Sequence, residues 1–343
     1  MSLYPLLRPF IFRIDGERAH LLSLSALEKA PRRRPPSFAP ALKTRVAGLD
    51  FPSPVGLAAG YDKDARAPDA LLGLGFGFVE VGTLTPKPQA GNPKPRLFRL
   101  VEDRAVINRM GFNNGGQEEA FVRLSKRERR GIIGVNVGAN KDSADRTADY
   151  ACGVRAMAPV ADYLTINISS PNTPGLRALQ EAAALDALLA AAYEARGEQG
   201  PPIFLKVAPD LELADIDAIA KVVVDRKVDA LIVANTTVSR PPLSSRHAGE
   251  SGGLSGEPLR PLALQRLKDF RKATGGQVPL ISAGGIGTAD DAYARIRAGA
   301  SLVQIYSALV YEGPGLPRRI TRGLARRLER DGFAHVAEAV GAG

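Results

Sequence analysis

The chain has 343 residues, a single cysteine (Cys152) and a formal net charge of +10. Its length fits two average domains or one large α/β barrel, and the single cysteine excludes a disulfide framework and a cysteine-rich metal site. No run of about 18 apolar residues is present, and arginines interrupt the apolar N-terminal stretch, so neither a transmembrane helix nor a secretory signal is predicted.

The positive charge lies at the two ends of the chain. Residues 1–45 hold nine Lys and Arg against three acids, a net +6, and residues 318–331 hold six Arg against two acids, a net +4. The body between them is neutral. Charge of this size is typical of proteins that bind nucleic acid, an anionic membrane surface or anionic small molecules. Its terminal position favours a barrel held by one end against anionic lipid.

Residues 1–40 are predicted to form two short helices and a linker rich in Arg and Pro. Asp15 is the predicted N-cap of the second helix, and Pro9 is predicted to delay or kink the first. The apolar face of the first helix comprises Leu3, Leu7, Phe10, Ile11 and Ile14. Such a segment either packs on the barrel as a cap or lies on a membrane, and its basic flanks favour the membrane.

Residues 41–343 alternate short apolar strands with helical stretches, which predicts an α/β fold of the (β/α)8 TIM-barrel class. A doubly wound open sheet ranks lower because no GxGxxG follows the first strand. Arg96–Leu100 and Ala105–Asn108 are predicted to form a hairpin inserted at the barrel mouth. The predicted strands are Val55–Ala59, Phe78–Gly82, Ile132–Val137, Tyr163–Ile168, Ile203–Val207, Ala230–Ala234, Leu280–Ala283 and Leu302–Ile305.

The ends of the predicted strands carry carboxamides rather than acids or histidines. Chemistry in this fold takes place at the carboxyl ends of the strands. His20, His247 and His335 are scattered, so neither a Ser-His-Asp arrangement nor a histidine metal site is predicted. A carboxamide offers donors and an acceptor, which suits a pyrimidine or flavin edge that alternates C=O and N–H. The asparagines at the predicted rim are Asn108, Asn136, Asn167, Asn172 and Asn235.

The last two strands predict a phosphate site. Gly284-Gly285 and Tyr306-Ser307 follow strands seven and eight, where these barrels commonly bind phosphate through backbone amides. Lys206 lies on strand five, where a cation is costly without an anionic partner. Together these features favour a phosphorylated cofactor with a ring beside Lys206.

Six segments resemble the class 2, quinone-dependent dihydroorotate dehydrogenases, in the family's order over residues 4–315. The segments are GLAAGYDK (56–63), PKPRLFRL (93–100), INRMGFNN (107–114), NISSPNTPGLR (167–177), GGLSG (252–256) and LVQIYS (302–307). The resemblance implies an FMN enzyme of de novo pyrimidine biosynthesis that oxidises dihydroorotate to orotate and passes the electrons to a membrane quinone.

The resemblance also assigns the proton transfer. Ser170 is implied as the base that takes the C5 proton while a hydride leaves C6 for flavin N5. The class 1 enzymes place a cysteine at this point, and Cys152 lies outside the motif. A serine hydroxyl is a weak base at neutral pH, so its surroundings must assist it.

Ligand positions carry over from the same motifs. The implied substrate residues are Lys63, Asn108, Arg109, Met110, Gly111, Phe112, Asn167, Asn172, Asn235 and Thr236. The implied FMN residues are Ala59, Gly60, Thr83, Asn136, Asn167, Lys206, Gly256, Gly285, Tyr306 and Ser307. Lys63 is expected to pair with the orotate carboxylate, and Lys206 to stabilise negative charge on the ring. No metal is implied.

The N-terminal helices match the family's membrane-docking and quinone-entry segment, with His20, Arg96 and Tyr306 at positions associated with the quinone tunnel. We therefore expect a peripheral protein on the cytoplasmic face of a bacterial inner membrane, with no nucleic-acid partner. Two alternatives are weaker. A tRNA-dihydrouridine synthase would suit the charge but needs a basic face and a rim cysteine, and a non-catalytic membrane barrel would not need the polar rim.

Overall fold

Eight parallel strands close into a barrel in the computed structural model, which describes residues 4–31 and 34–343. Leu3 of the predicted helical face and the linker residues Arg32 and Arg33 lie outside the described residues. The order around the barrel follows the chain, so each βα unit adds the neighbouring strand, as in a (β/α)8 barrel. The predicted fold class is confirmed.

All eight predicted barrel strands are present, with ends that differ from the prediction by at most two residues. Each is buried along its length or nearly so, because helices cover the outer face of a parallel barrel. The barrel strands are β3 (Val55–Leu57), β4 (Phe78–Leu84), β7 (Ile132–Val137), β8 (Tyr163–Asn167), β9 (Ile203–Val207), β10 (Ala230–Val233), β12 (Leu280–Ala283) and β13 (Ala300–Ile305).

A hairpin of β1 (Thr44–Val46) and β2 (Leu49–Phe51) closes the amino-terminal end of the barrel. Phe51 packs edge-on against Phe78 at the start of β4, with ring centroids 5.1 Å apart. Tyr163 stacks on Phe204 at 4.3 Å in the same layer. Aromatic rings therefore fill this end, and the opposite end is left for ligands.

The predicted hairpin forms at the barrel mouth from β5 (Leu97–Leu100) and β6 (Ala105–Asn108). The sequence did not predict its third strand, β11 (Gly253–Gly256), which pairs antiparallel with β6. Two glycines in four residues give β11 little strand propensity, so its pairing with a segment 145 residues away decides its conformation.

Helices surround the barrel, and all except α1 bury part of one face. In α11, Ile320, Leu324 and Leu328 recur at helical spacing and are fully buried. The helices are α1 (Tyr4–Ile11), α2 (Gly16–Lys29), α3 (Pro68–Gly73), α4 (Gln117–Ser125), α5 (Arg146–Met157), α6 (Ala182–Arg196), α7 (Leu213–Asp225), α8 (Arg260–Ala273), α9 (Ala289–Arg297), α10 (Ala308–Glu312) and α11 (Leu316–Arg330).

The two predicted N-terminal helices are α1 and α2. Asp15 caps α2, where its side chain accepts a hydrogen bond of 2.9 Å from the N–H of Arg18, as predicted. Pro9 lies inside α1, and the N–H of Phe12 donates to the carbonyl of Arg8, so α1 does not begin after the proline. In the part of the chain described, no helix combines the length and apolarity needed to cross a bilayer.

The two basic ends of the chain lie on adjacent elements. Helix α1 packs on α10, where the Tyr4 hydroxyl donates to the carbonyl of Val310 at 2.6 Å, and α10 leads directly into α11. On α11, however, Arg319, Arg327 and Arg330 each pair with a nearby carboxylate. Three of the six arginines of the last helix therefore have a carboxylate beside them.

Candidate active site

One cavity of about 580 Å³ runs from the N-terminal helices into the mouth of the barrel. Its size is that of a small-molecule site. The implied residues that line it are His20, Ala59, Gly60, Lys63, Thr83, Asn108, Met110, Gly111, Phe112, Asn167, Ser170, Asn172, Lys206, Asn235, Thr236, Gly256, Gly285, Tyr306 and Ser307. Three others, Arg96, Arg109 and Asn136, have their side chains elsewhere.

The barrel end of the cavity contains a glycine turn after β12. Gly284 and Gly285 have φ angles of +102° and +73°, which side chains rarely adopt. A Cβ on Gly285 would approach the Cα of Arg260 to 2.5 Å. Within the described residues, the N–H groups of Gly285, Ile286 and Ser307 have no acceptor. N–H groups without an acceptor, on a backbone segment of two glycines, fit the phosphate of FMN.

Lys206 is a cation without a partner in the barrel interior. Its side chain lines the cavity from β9, is 4% exposed, and makes no hydrogen bond or ion pair with any residue that the structure describes. Burial lowers its pKa, and the charge of Glu80 opposes that shift. A buried ammonium without a partner is costly, so this position suits a ring that carries acceptors and gains negative charge.

A network of carboxamides joins three strands beside Lys206. Asn167 Nδ2 donates to Thr83 Oγ1 at 3.0 Å and to Asn136 Oδ1 at 3.1 Å. Asn136 Nδ2 donates to Glu80 Oε1 at 2.7 Å. Asn136 is fully buried behind the cavity wall, so it orients Asn167 and Thr83 rather than lining the cavity.

Glu80 at the base of this network was not singled out in the sequence. Its carboxylate also accepts from the Tyr163 hydroxyl at 3.1 Å and from Gln304 Nε2 at 2.7 Å. A lone acid inside the apolar strand Phe78–Leu84 was the available signal, because a buried charge needs several partners.

The two serines after β8 differ in how their hydroxyls are used. Ser169 Oγ donates to Asn167 Oδ1 at 2.6 Å and accepts from Asn235 Nδ2 at 2.7 Å. Ser170 Oγ accepts a bond of 3.2 Å from the N–H of Asn172, and its own proton has no acceptor among the described residues. Ser170 lines the cavity and is 6% exposed. Its hydroxyl is therefore available to a bound ligand.

Lys63 lines the same cavity from the loop after β3. Its ammonium donates to the carbonyl of Gly60 at 2.6 Å, which leaves two N–H donors for a ligand. Burial lowers the pKa of Lys63 to about 8. The side chain is therefore a cation at neutral pH, as a carboxylate-binding group must be.

Aromatic rings connect the barrel to α2 at the outer end of the cavity. His20 lies edge-on to Tyr61 with centroids 5.0 Å apart, and Tyr61 lies edge-on to Tyr306 at 5.8 Å. Burial lowers the pKa of His20 to about 3, so the imidazole is neutral. Tyr61 was not assigned in the sequence, although it directly follows Gly60 in a matching motif. The apolar wall here includes Phe12, Ala19, Leu27, Leu71 and Leu74.

Arg96 and Arg109 hold elements together instead of facing the cavity. Arg96 forms a buried ion pair of 2.7 Å with Glu17 and so fastens α2 to the hairpin sheet. Arg109 pairs with Glu250 at 2.7 Å and packs over the ring of Phe98 at 4.6 Å. Sequence position alone does not reveal the direction of these side chains.

Comparisons with known proteins identify the family of the chain. The dihydroorotate dehydrogenase family model matches residues 41–328. Among curated relatives, the dihydroorotate dehydrogenase (quinone) of Erythrobacter litoralis is 65% identical and that of Novosphingobium aromaticivorans 63% identical, each with 99% of both chains covered.

Solved structures show the same fold. The ligand-free DHODH of Eimeria tenella superposes with a TM-score of 0.91 at 43% identity, over 96% of this chain and 99% of that one. Its complex with ferulenol gives a TM-score of 0.91 at 42% identity, over 96% and 95%. The family match and the identity over nearly the whole length establish that this chain belongs to the dihydroorotate dehydrogenase family, in its quinone-dependent class.

Proposed function

We propose that this cavity carries out the whole family reaction, the oxidation of dihydroorotate to orotate with a quinone as final electron acceptor. One observation carries this proposal: the same cavity is lined by Ser170, Lys206 and the free amides at its barrel end and by His20 at its outer end. Bound FMN would supply the hydride acceptor between these two ends.

FMN is held by backbone at one end and by side chains at the other. The free amides of Gly285, Ile286 and Ser307 bind the phosphate, while Lys206 and the Thr83–Asn167 pair hold the ring. Because the Asn136 carboxamide pins both Thr83 and Asn167, the wall is organised before the cofactor binds. Ala59, Gly60, Gly256 and Tyr306 complete the proposed FMN site.

Dihydroorotate lies on the side of the cavity next to the hairpin of β5 and β6. Lys63 binds its carboxylate, and the carboxamides of Asn108, Asn172 and Asn235 bind the ring C=O and N–H groups. Asn172 is itself oriented, because its Nδ2 donates to the carbonyl of Asn108 at 3.1 Å. The proposed substrate site is completed by Met110, Gly111, Phe112 and Thr236. Arg109 does not line the cavity, and it stabilises the site indirectly through its ion pair with Glu250.

Ser170 removes the C5 proton of the substrate. Ser170 lines the cavity and its Oγ accepts the C5 proton, while its own hydroxyl proton, which has no acceptor among the described residues, passes to a water molecule in the cavity. The N–H of Asn172 stabilises the negative charge that Oγ gains when this hydroxyl proton leaves.

Residues 1–40 form the docking segment and residues 41–343 the catalytic barrel. Leu6, Leu7 and Phe10 on α1 and Leu21 and Leu22 on α2 are large apolar side chains that are 44–70% exposed. Exposed basic residues of this segment, such as Arg13 and Arg18, add attraction to anionic lipid. A quinone dissolved in the membrane then reaches His20 and Tyr306 through the outer end of the cavity.

The proposal places the protein at the cytoplasmic face of a bacterial inner membrane and includes no nucleic-acid partner. Three of the six α11 arginines pair with Glu312, Asp290 and Asp331, which supports the second point because it leaves fewer cations for phosphates.

A direct test is spectroscopic. The purified protein is expected to show flavin absorbance that anaerobic dihydroorotate bleaches without any nicotinamide. A colourless protein, or a spectrum that dihydroorotate leaves unchanged, would refute the proposed function.

A further inference from the structure

A fully buried arginine lies behind the glycine turn and is not among the residues that line the cavity. Arg295 is on α9, is 1% exposed, and has no carboxylate within 4.0 Å among the described residues. One guanidinium nitrogen donates to the carbonyls of Gly284 and Arg260, both at 2.9 Å. The other donates to Ser282 Oγ at 3.3 Å. No step of the reaction described above uses this residue.

A second arginine holds the next carbonyl along the turn. Arg260 Nε donates to the carbonyl of Gly285 at 3.0 Å from the first residue of α8. Arg260 also pairs with Asp291 at 3.1 Å and lies 3.7 Å from Glu257, so its charge is balanced locally. Arg295 has no ion-pair partner within 4.0 Å among the described residues, and the charge of Asp291 acts on it only from farther away.

Each of these two contacts fixes the direction of the N–H group that follows the held carbonyl, because the peptide bond is planar. In a planar trans peptide the C=O of one residue and the N–H of the next point in opposite directions. With the Gly284 carbonyl held by Arg295, the N–H of Gly285 points away from that arginine. Arg260 acts in the same way on the N–H of Ile286. Gly285 and Ile286 both line the cavity, and neither N–H has an acceptor within the described residues.

The next two amides of the turn are already occupied. The carboxylate of Asp291 accepts from the N–H groups of Gly287 and Thr288, both at 3.0 Å. The anion-binding capacity of the turn therefore rests on Gly285 and Ile286, the two amides that the arginines orient. Burial lowers the pKa of Arg295 to about 10, so the guanidinium stays cationic at neutral pH.

We propose that Arg295, assisted by Arg260, is a positioning residue for the FMN phosphate. Arg295 does not contact the phosphate; it holds the Gly284–Gly285 backbone so that the amide N–H groups can bind the phosphate. This rests on the proposed function, since it assumes that FMN occupies the cavity. The phosphate dianion adds negative charge opposite Arg295, across the turn from Asp291. The pair thereby selects the phosphorylated flavin over riboflavin.

Flavin competition tests this proposal on the full-length holoenzyme. The protein is dialysed against mixtures of FMN and riboflavin, and the ratio of the two bound flavins is measured after extraction. In Arg295→Met the preference for FMN is expected to fall about 10- to 100-fold, the loss expected for one charge-assisted contact. Arg295→Lys keeps the charge and is expected to retain more of the preference.

Arg297→Met is the matched control. Arg297 lies two residues along α9, where it packs over Phe333, and its loss is expected to leave the flavin ratio unchanged. An unchanged ratio in Arg295→Met, or an equal loss of both flavins, would overturn the proposal, because a merely structural residue does not discriminate by phosphate.

A second variant covers the case in which Arg295→Met does not fold. The Arg260 side chain is 39% exposed, so Arg260→Gln should fold, and it is expected to lower the FMN preference as well. An unchanged ratio in that variant would reject the paired-arginine account. A wild-type protein that binds no FMN would instead reject the proposed function itself.

Discussion

The N–H of Asn172 donates to Ser170 Oγ across 3.2 Å, and both residues belong to the loop that follows β8. The neighbouring Ser169 has its hydroxyl fully engaged by Asn167 and Asn235. The loop thus offers the cavity one serine oxygen that carries a backbone donor and a free proton. A serine base needs both, because its own proton must leave as the oxygen takes the substrate proton, and the backbone donor stabilises the negative charge that this departure leaves on the oxygen.

Replacement of Ser170 by alanine should separate chemistry from binding. Ser170→Ala is expected to keep its flavin and to slow bleaching by dihydroorotate about 10²- to 10⁴-fold, the range for loss of a general base. Rapid-mixing absorbance measures the rate. Ser170→Cys, which supplies a more acidic group of similar size, is expected to recover part of it. Near-normal bleaching in the alanine variant would refute the assignment of the base.

The charge of Lys63 should set the alkaline limit of substrate capture. Below its pKa of about 8 the ammonium binds the substrate carboxylate, and above that pH the neutral amine does not. We therefore expect kcat/KM to fall as the pH rises through about 8. In Lys63→Gln, kcat/KM should be roughly 30- to 100-fold lower and lack this alkaline limb. The assignment is wrong if the variant keeps the same alkaline limb.

Lys206 should raise the reduction potential of the bound flavin. Its unpartnered cation stabilises the negative charge that accompanies added electrons, so Lys206→Met should lower the midpoint potential by about 30 mV or more, the equivalent of a tenfold change. Equilibration with redox dyes measures the shift. Lys221→Met, at a solvent-exposed site on α7, is the control, and equal potentials in the two variants would contradict this role.

The exposed apolar residues of α1 should be needed for binding to vesicles and not for reduction of the flavin in the barrel. Leu6→Glu with Phe10→Glu changes side chains that are 70% and 65% exposed, so the fold should tolerate both. Binding to anionic vesicles should be lost and reaction with long-chain quinone slowed, while bleaching by dihydroorotate is unchanged. Leu213→Glu, at a 63% exposed site on α7, should retain vesicle binding. Equal vesicle binding by both would argue against the docking face.

The barrel was predictable because each strand must be buried on both faces and so appears as a short apolar run. Val55–Leu57 and Ile203–Val207 show this pattern clearly. The glycine turn was predictable because the Gly284-Gly285 pair directly follows a predicted strand, and glycine readily adopts the positive φ angles found there. Both signals lie within a few residues of the feature that they predict.

Long-range pairing accounts for what the sequence did not predict. β11 forms a strand because it pairs with β6. Glu80 and Arg295 can be buried because residues from other parts of the chain donate hydrogen bonds to Glu80 and accept them from Arg295. The directions of Arg96 and Arg109 depend in the same way on Glu17 and Glu250. None of these partners can be identified from spacing along the chain.

Reoxidation of the substrate-bleached enzyme tests the central claim most directly. Protein bleached anaerobically with dihydroorotate is mixed in parallel with a quinone, with fumarate and with NAD, and the return of flavin absorbance is followed. The account predicts rapid recovery with the quinone and none with the other two acceptors. Recovery with fumarate or NAD but not with the quinone would contradict it.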